Sequence, residues 1–535
     1  MGYRIDPQRL ARLNLREAPP GAATGPYVIA IPEHCNIAAD TVARWAAGPR
    51  RDHPALVFEH ADGSVQRWTF GEVDELATRL AARLRSLGVR RGDRVAVHTG
   101  MRPETGIAHL AIYKLGAIAV TLSQLYGPDT LAHILDHSEA SVVITQERAW
   151  AAQRAQAFVH VRHRIVVGAA SPGDIAFEHC VGLPAPGFEP VATRGDEAAL
   201  LMYTSGSTGL PKGILHGHRI LQAYVPSLSL TYNLDVDGDD LVFWSPADWA
   251  WVGGLLDLLL IAWAFGHTVV TSEARFDADW AFDFMARRGV THSFLTPTAL
   301  KRLAECRAPR ERWPNLALRV VCTGGEALPG PVLRWCRNEL KIVCNEFYGL
   351  TEVNHLVGCC DALFPALPGS MGRAYPGHAT TIVDEEGNPV PTGEAGEIVA
   401  ALDDPTRFLG YWKDEARTAE LQLAGRWLRT HDLAQRDADG YYWYHGRSDD
   451  LIKSGGYRIG PAEVEDCLLR HAAVAEAAVV ASPDAQRGAI VKAFVRLREG
   501  HAGSEGLTRE LQDLVKTRLA ASSTRARWST CQVSR

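Results

Sequence analysis

A glycine-rich stretch at residues 203–213, YTSGSTGLPKG, constrains this chain more than any other part of its sequence. It holds three glycines, five side-chain hydroxyls and one lysine, and it lies between apolar runs at residues 198–202 and 214–215. Glycine lets a backbone approach an anion closely, so that N–H groups and hydroxyls can bind its oxygens. A strand that leads into such a loop predicts a phosphate-binding site.

The loop matches neither of two common phosphate-binding patterns. A P-loop requires Gly-x-x-x-x-Gly-Lys-Ser/Thr, but counting from Gly206 places Pro211 at the second glycine and Gly213 at the hydroxyl position. The dinucleotide pattern Gly-x-Gly-x-x-Gly is also absent from this stretch. The sequence therefore indicates an anion-binding loop of another type.

A hairpin followed by a helix is predicted after the first 50 residues. Residues 54–60 and 64–70 have the alternating pattern of paired strands around a turn. Thr69 and Glu72 have the spacing of a capping box, and residues 71–87 repeat apolar side chains with helical periodicity.

The remaining sequence predicts an α/β fold class. Helix and strand patterns alternate as far as residue 145 and again over residues 249–322, which is typical of parallel sheets flanked by helices. From residue 369 onward, short strands separated by turns indicate a β-rich subdomain. A compact α+β pattern follows residue 450.

Composition argues against several kinds of function. The net charge of -6 gives no reason to expect nucleic acid or an anionic membrane as partner. The ten cysteines form no Cys-x-x-Cys pair, which favours a reducing, cytoplasmic location. The most apolar stretch, residues 249–265, is interrupted by Asp257 and is short for a membrane span, so it predicts a buried helix.

Two clusters follow predicted strands in the second half of the chain. Residues 323–328, TGGEAL, leave room for a flat ligand against bare backbone. Residues 345–352, NEFYGLTE, are predicted to lie at a strand end and supply Tyr348 to stack on a base, with Thr351 and Glu352 for a phosphate oxygen and Mg²⁺. Each cluster alone is also compatible with an ordinary turn or strand exit.

Three further features lie near the C-terminal part. Asp432 can accept hydrogen bonds from ribose hydroxyls, and Arg447 can donate to a ribose or a phosphate. For either residue taken alone, a surface ion pair is the favoured interpretation. Residues 454–460, SGGYRIG, form a second glycine-rich loop.

In this order, the five clusters resemble the acyl-adenylate-forming superfamily, which includes acyl-CoA synthetases, luciferases and peptide-synthetase adenylation domains. The resemblance covers about residues 50–520, and residues 455–465 look most like acyl-CoA synthetases of the short- and medium-chain type. It implies an ATP-dependent acid–CoA ligase that uses Mg²⁺ and forms an acyl-adenylate before transfer to CoA. The partners it implies are small molecules: a carboxylic acid, ATP and CoA.

The resemblance assigns roles residue by residue. It implies ATP-binding by Thr204, Ser205, Gly206, Ser207, Thr208, Gly209, Lys212, Gly325, Glu326, Ala327, Glu346, Phe347, Tyr348, Gly349, Leu350, Thr351, Asp432 and Arg447. It implies substrate or CoA contacts from Trp249, Gly324, Gly349, Gly455, Gly456, Tyr457 and Arg458, a hinge at Asp449, metal binding by Glu352, and catalytic roles for Thr204, Lys212, Glu352 and Arg458.

It also implies a domain division. A large N-terminal adenylation domain is expected at residues 1–448, with a small mobile C-terminal domain at residues 449–535. The resemblance is good up to residue 521 and is lost beyond it, which is compatible with a truncated or frameshifted end or with a sequence error. No lysine follows Lys516, although family members place a catalytic lysine in this region. We therefore expect slowed adenylation, spared thioester formation and an exposed strand edge in the C-terminal domain.

Gly349 gives a prediction of the size of the acid substrate. Acetate-specific relatives have a tryptophan at this position, so its absence predicts room for several methylenes, each contributing about 0.8 kcal/mol when buried. Propionate to medium-chain or aryl acids are expected over acetate, unless Trp249 or Trp251 fills the space. Two alternatives remain open at this point: a non-catalytic ATP or acyl-adenylate binding protein, and an adenylating enzyme with an acceptor other than CoA.

Overall fold

The computed structural model describes residues 4–151, 158–204, 211–448, 452–454, 457–459, 461–484, 488–518 and 532–533. Two compact units are present. The first unit comprises Met1–Ala379 with Leu402–Leu421, and the second comprises Thr380–Ala401 with Gln422–Arg535. The domain boundary expected after residue 448 stays a prediction.

An eight-stranded sheet in the first unit contains the strands that flank the glycine-rich loop. In spatial order its strands are Gly410–Tyr411, Lys212–Gly217, Ala198–Thr204, Ile118–Thr121, Arg94–His98, Val142–Gln146, His163–Val167 and Ile175–Ala176. The strands from Ala198–Thr204 to Ile175–Ala176 pair in parallel, as the helix–strand alternation predicted. Lys212–Gly217 pairs antiparallel with Gly410–Tyr411 on one side and with Ala198–Thr204 on the other, and the glycine-rich loop connects Ala198–Thr204 to Lys212–Gly217.

A second sheet of the first unit is parallel in its middle and antiparallel at both ends. In spatial order its strands are Gly372–Ala374, Val353–Gly358, Val343–Leu350, Val320–Thr323, His292–Phe294, Val242–Trp244, Thr268–Ser272, Pro54–Glu59 and Val65–Thr69. Pro54–Glu59 and Val65–Thr69 form the predicted hairpin. Two short strands, Leu15–Glu17 and Tyr27–Ile29, pair separately.

Helices cover the sheets of the first unit. They span Pro7–Leu10, Ala39–Ala43, Arg44–Ala46, Phe70–Ser86, Pro103–Lys114, Pro128–Ser138, Glu147–Trp150, Phe177–Gly182, Arg219–Thr231, Val252–Gly254, Leu255–Leu260, Ile261–Phe265, Ala278–Arg288, Pro297–Leu303, Pro309–Arg312, Gly330–Trp335, Cys336–Leu340 and Glu415–Glu420. The predicted capping box is present, since Glu72 N donates to Thr69 Oγ1 at 3.1 Å and Thr69 N to Glu72 Oε2 at 2.8 Å.

The apolar stretch at residues 249–265 forms three consecutive helical segments, Val252–Gly254, Leu255–Leu260 and Ile261–Phe265. Almost every side chain from Leu255 to Ala264 is buried, which confirms the prediction of a buried helix. No helix in the described ranges is long and apolar enough to cross a membrane.

The second unit contains two groups of strands, which pair antiparallel except for Gln532–Val533. Thr380–Val383, Ala395–Ala401, Trp427–Arg436 and Tyr441–Arg447 are paired in that order, and Gln422–Leu423 adds to Trp427–Arg436. The other sheet contains Tyr457–Ile459, Ile452–Ser454, Gly488–Leu497, Val474–Asp484 and Gln532–Val533, with the helices Pro461–Leu469 and Glu505–Arg518.

The expected bare edge of this last sheet is partly paired. Gln532–Val533 lies parallel to Gly488–Leu497, opposite Phe494 and Val495. The edge prediction is therefore wrong at these two positions, because a short segment close to the chain end supplies backbone partners there. The other predictions for residues 519–531 lie outside the described residues.

Candidate active site

The glycine-rich loop is held by an antiparallel hairpin. Ala198–Thr204 and Lys212–Gly217 pair so that Thr204 lies opposite Lys212 and Tyr203 opposite Gly213. This register places the two predicted catalytic residues of the hairpin side by side where the strands meet the loop. The predicted phosphate contacts within the loop, Ser205, Gly206, Ser207, Thr208 and Gly209, lie outside the described residues.

Lys212, Glu352 and Tyr411 form a charged cluster beside this hairpin. Lys212 Nζ is 2.8 Å from Glu352 Oε1 and donates to the Tyr411 hydroxyl at 2.8 Å. The hydroxyl in turn donates to Glu352 Oε1 at 2.7 Å, and Lys212 Nζ lies 4.4 Å from the centre of the Tyr411 ring. These three residues are called the lysine–glutamate–tyrosine cluster below. It brings together two residues that the sequence predicted and one that it did not.

The Glu352 carboxyl is buried and ionised. Burial by itself raises its pKa, but the charge of Lys212 and the hydrogen bonds from Lys212 and Tyr411 hold the pKa below the ordinary value. An ionised carboxylate in this position is suited to Mg²⁺, which takes few protein ligands and completes its shell with water and substrate phosphates. Within the described ranges, no group of three or more His, Cys, Asp or Glu residues could hold a metal ion by itself.

A neutral histidine contacts the turn that carries Glu352 of the lysine–glutamate–tyrosine cluster. His216 Nε2 donates to the carbonyl oxygen of Thr351 at 2.8 Å and so fixes the turn that carries Glu352. Burial lowers the pKa of His216 to about 4, so the ring adds no charge to the site at neutral pH.

Residues 345–352 lie mostly within a strand, and the predicted strand end falls inside this motif, after Leu350. Val343–Leu350 pairs in parallel with Val320–Thr323 as far as Glu346 and then antiparallel with Val353–Gly358. Thr351 and Glu352 form the turn between the two strands. The sequence contained no turn residue at this point, so the hairpin could not be distinguished from a strand exit.

Glu346 and Phe347 connect residues 345–352 with residues 323–328. Glu346 Oε1 accepts a hydrogen bond from Leu328 N at 2.9 Å. A Cβ atom at Gly324 would lie 2.7 Å from the Phe347 ring, so this glycine is required for the close packing. Gly325 has a φ of 88°, and the segment Gly325, Glu326 and Ala327 is exposed beside this contact. The Glu326 carboxylate accepts from Thr298 Oγ1 at 2.9 Å.

Gly349 does not face an empty space that could hold part of the acid. A Cβ atom there would lie 2.4 Å from Asn354 Oδ1 and 2.4 Å from His355 N. The glycine therefore permits two strands to approach each other, and the expectation that it leaves empty space in place of an indole is wrong at this position. A prediction of acid size has to be based on other residues.

A buried polar cluster lies next to this hairpin and was missed at the sequence level. Asp257 Oδ1 lies 3.2 Å from His355 Nε2, and both side chains are buried. The His355 ring packs on Phe347 at 4.0 Å and on Tyr224 at 5.3 Å between ring centres. Asp257 itself was the available signal, because a carboxylate in an apolar helix requires a buried polar partner.

The predicted ribose contacts come together within the second unit. Asp432 lies opposite Arg447 in neighbouring strands, with 3.8 Å between Asp432 Oδ1 and Arg447 Nη1. The Tyr444 hydroxyl donates to Asp432 Oδ1 at 3.2 Å. Asp432 is buried whereas the Arg447 side chain is 40% exposed, so the pair presents a donor to solvent beside a fixed acceptor.

The predicted CoA contacts are only partly described. Asp449, Gly455 and Gly456 lie outside the described residues. Tyr457 and Arg458 belong to the strand Tyr457–Ile459, where the backbone alone is described. Trp249 is fully buried in the first unit.

The fold and these clusters define a nucleotide-binding α/β enzyme with an ionised carboxylate and a lysine beside a glycine-rich loop. The AMP-binding enzyme family matches residues 42–412, and the AMP-binding enzyme C-terminal domain matches residues 463–527. The chain belongs to the AMP-binding enzyme family.

Known proteins of this family are similar along most of the chain. Human acyl-coenzyme A synthetase ACSM4, a mitochondrial protein, is 33% identical over 501 residues, 91% of this chain and 85% of that protein. The acetyl-coenzyme A synthetase of Bacillus subtilis (strain 168) is 32% identical over 492 residues, 91% of this chain and 85% of that protein. The crystal structure of the anthranilate CoA ligase AuaEII with anthranoyl-AMP has a TM-score of 0.81 at 29% identity, covering 93% of each chain.

The chain is thus an AMP-forming acid–CoA ligase that works through an acyl-adenylate. ATP, Mg²⁺ and CoA are its co-substrates and cofactor. The family expectation for the fold, α/β with a large N-terminal and a small C-terminal part, is confirmed.

Proposed function

We propose that this ligase activates medium-chain or aryl carboxylic acids, with the lysine–glutamate–tyrosine cluster at the phosphates of ATP. The observation that supports this placement is the 2.8 Å pairing of Lys212 with a buried, ionised Glu352 next to the glycine-rich loop. The acid carboxylate attacks the α-phosphorus, the bond to the β-phosphate breaks, and pyrophosphate leaves. The CoA thiol then attacks the acyl carbonyl, and AMP leaves.

The cluster is suited to the departure of pyrophosphate. Lys212 can exchange Glu352 for β- and γ-phosphate oxygens, and Glu352 is then free to bind Mg²⁺, which neutralises charge on the leaving group. Tyr411 contacts both residues, so it can keep Glu352 in place while Lys212 changes partner. Thr204, which pairs with Lys212 across the hairpin, adds a hydroxyl donor where the two strands meet the loop.

Asp432 and Arg447 are proposed to bind the ribose. The Tyr444 hydroxyl donates to Asp432 Oδ1 and orients this carboxylate, whose oxygens can accept hydrogen bonds from the hydroxyls of the sugar. The exposed Arg447 guanidinium adds donors beside it. Arg458, Gly455, Gly456 and Tyr457 are proposed to contact CoA, and Asp449 to serve as hinge, on the basis of the family pattern.

A similar ligase supports an acid larger than acetate, since the chain resembles an anthranilate CoA ligase, whose acid carries an aromatic ring. The Phe294 and Phe347 rings lie 6.1 Å apart. Each ring is packed against glycine backbone, because Cβ atoms at Gly253 and Gly324 would lie 2.4 and 2.7 Å from Phe294 and Phe347. Buried Trp249 lies in the segment just before Gly253, and its indole N–H has no hydrogen-bond partner among the described residues.

Acid-dependent exchange between ATP and labelled pyrophosphate tests the proposal. At equal concentrations, benzoate and octanoate are expected to support faster exchange than acetate. After CoA is added, mass analysis should detect the thioester and AMP. Equal or better catalytic efficiency with acetate would refute the acid class. Exchange without thioester formation would instead indicate an acceptor other than CoA, and binding of ATP without exchange a non-catalytic protein.

A reducing, cytoplasmic location is proposed together with this activity. The nine cysteines in the described part of the chain are free thiols, and eight of them are buried. Thiols persist in the reduced state in the cytoplasm. Fractionation of producing cells with a specific antibody tests the location.

A further inference from the structure

The helix Pro128–Ser138 lies against both ends of the glycine-rich loop. His133 Nε2 donates to the carbonyl oxygen of Pro211, at the end of the loop, at 3.2 Å. His137 Nδ1 is hydrogen-bonded to the Tyr203 hydroxyl, at the start of the loop, at 2.9 Å. One helix therefore contacts the residues on either side of the segment that is proposed to bind phosphate.

The two histidines act as one unit. They are four residues apart on the helix, and their rings stack with 5.4 Å between centres and 12° between planes. The His137 ring also packs edge-on against the Tyr203 ring at 5.8 Å. Stacked rings restrict each other's rotation, so each hydrogen bond to the hairpin is kept at a fixed position.

The helix itself is firmly placed. Leu131, Ile134 and Leu135 are buried in a core cluster that also contains Leu201 and Tyr203 of the hairpin. The His133 and His137 side chains are half-buried on the side that meets the loop ends. The two rings thus project from a rigid element onto strand ends.

A second connection links the helix to the lysine–glutamate–tyrosine cluster. Trp412 Nε1 donates to the carbonyl oxygen of His137 at 3.0 Å, and Trp412 N donates to the carbonyl oxygen of Gly213 at 2.8 Å. Trp412 directly follows Tyr411, which binds both Lys212 and Glu352. The helix, the hairpin and the cluster are therefore joined by hydrogen bonds.

We propose that His133 and His137 are positioning residues for the phosphate loop. They fix Pro211 and Tyr203, and through these residues they set the spacing of Thr204 and Lys212 for the phosphates of ATP. The inference rests on the proposed placement of ATP at this loop. Neither ring is assigned a contact with substrate or a proton transfer.

Side-chain amides provide a sharp test in the full-length protein. A glutamine amide can occupy the position of His Nε2, and an asparagine amide that of His Nδ1. His133→Leu and His137→Leu remove the hydrogen bonds, whereas His133→Gln and His137→Asn retain a polar group in place. The exposed His179, in the helix Phe177–Gly182, provides the matched control His179→Leu.

Loss of one positioning hydrogen bond corresponds to roughly a 3- to 10-fold effect. Each leucine variant is expected to raise the KM for ATP and the calorimetric Kd for MgATP by this factor. The KM for the acid and thioester formation from supplied acyl-AMP should stay at wild-type values. The amide variants should recover most of the loss, and His179→Leu should behave as wild type.

Unchanged MgATP affinity in both leucine variants would overturn the inference. A parallel loss in the KM for the acid and in the acyl-AMP half-reaction, with no recovery by the amides, would also overturn it, because it would indicate general destabilisation. Failure of the proposed acid class is distinguishable, since it would appear as equal or better exchange with acetate in the wild-type protein, whereas calorimetry of the histidine variants reports only on the binding of MgATP.

Discussion

Tyr411 is the uncharged member of the lysine–glutamate–tyrosine cluster, and its hydroxyl contacts both charged partners. Tyr411→Phe removes two hydrogen bonds to ionised groups but keeps the direct contact between Lys212 and Glu352, so the total loss should be about 1.5–3 kcal/mol. We expect kcat/KM for adenylation to fall roughly tenfold to a hundredfold, measured by pyrophosphate exchange. Tyr442→Phe, which loses one hydrogen bond to the Thr380 carbonyl oxygen in the second unit, is the matched control and should keep wild-type exchange.

The lowered pKa of Glu352 predicts how stability depends on pH. A carboxyl whose pKa is lower in the folded protein than its ordinary 4.5 stabilises the fold above that value, and this contribution is lost as pH falls through the folded pKa. Glu352→Gln leaves Lys212 without its counter-charge and should lower the free energy of unfolding by about 2 kcal/mol at pH 7. Below the folded pKa the two proteins should become equally stable. Urea unfolding at pH 7 and in progressively acid buffers measures the difference, and a constant difference would contradict it.

At the level of single residues, the sequence identified what motif spacing can show. Lys212 and Glu352 were predicted individually, and the structure pairs them across 140 positions of the chain. Tyr411 and His355 were missed because their roles depend on contacts between distant segments. Gly349 was misjudged because its neighbours Asn354 and His355 belong to a hairpin that no turn residue announced.

At the scale of a structural element, the hairpin formed by Val343–Leu350 and Val353–Gly358 requires the glycine at position 349. Gly349→Ala would place a methyl group 2.4 Å from His355 N, a backbone atom that can move only if the two strands separate. We expect a loss of about 1–3 kcal/mol in stability, together with displacement of Glu352 and a corresponding loss of exchange activity. Thermal unfolding and exchange rates measure both effects.

Gly127→Ala is the control for this substitution. No atom lies within 4 Å of a Cβ at Gly127, and its φ of -69° suits any residue. This variant should match the wild type in melting temperature and activity. Equal behaviour of the Gly349 and Gly127 variants would show that the hairpin tolerates a side chain at its narrow point.

Periodicity predicted the regular elements well because their causes are local. The hairpin at Pro54–Glu59 and Val65–Thr69, the capping box at Thr69 and the buried helical stretch after Trp251 all follow from neighbouring residues. The order of the strands in the two sheets does not, since it brings together segments far apart in sequence. The short strand Gln532–Val533 is an example, as its partner lies near Phe494.

At the scale of the molecule, the predicted ATP contacts belong to both compact units. Lys212 and Glu352 lie in the first unit, and Asp432 and Arg447 in the second. Asp432→Asn removes the charged acceptor proposed for the ribose and should raise the KM for ATP roughly tenfold, with little effect on the KM for the acid. Steady-state kinetics with each substrate varied in turn measures this, and an unchanged KM for ATP would remove the second unit from nucleotide binding.

The internal pairing of Lys212 with Glu352 has a consequence for selectivity among anions. Without ligand, the charges of Lys212 and Glu352 neutralise each other. A simple anion such as sulfate or inorganic phosphate can therefore pair with Lys212 only if the buried Glu352 carboxylate is left without a counter-charge. MgATP supplies an anion for the lysine and a cation for the carboxylate at the same time. The pair therefore favours MgATP over polyanions without a metal ion. Sulfate should compete only weakly with MgATP, even at high concentration.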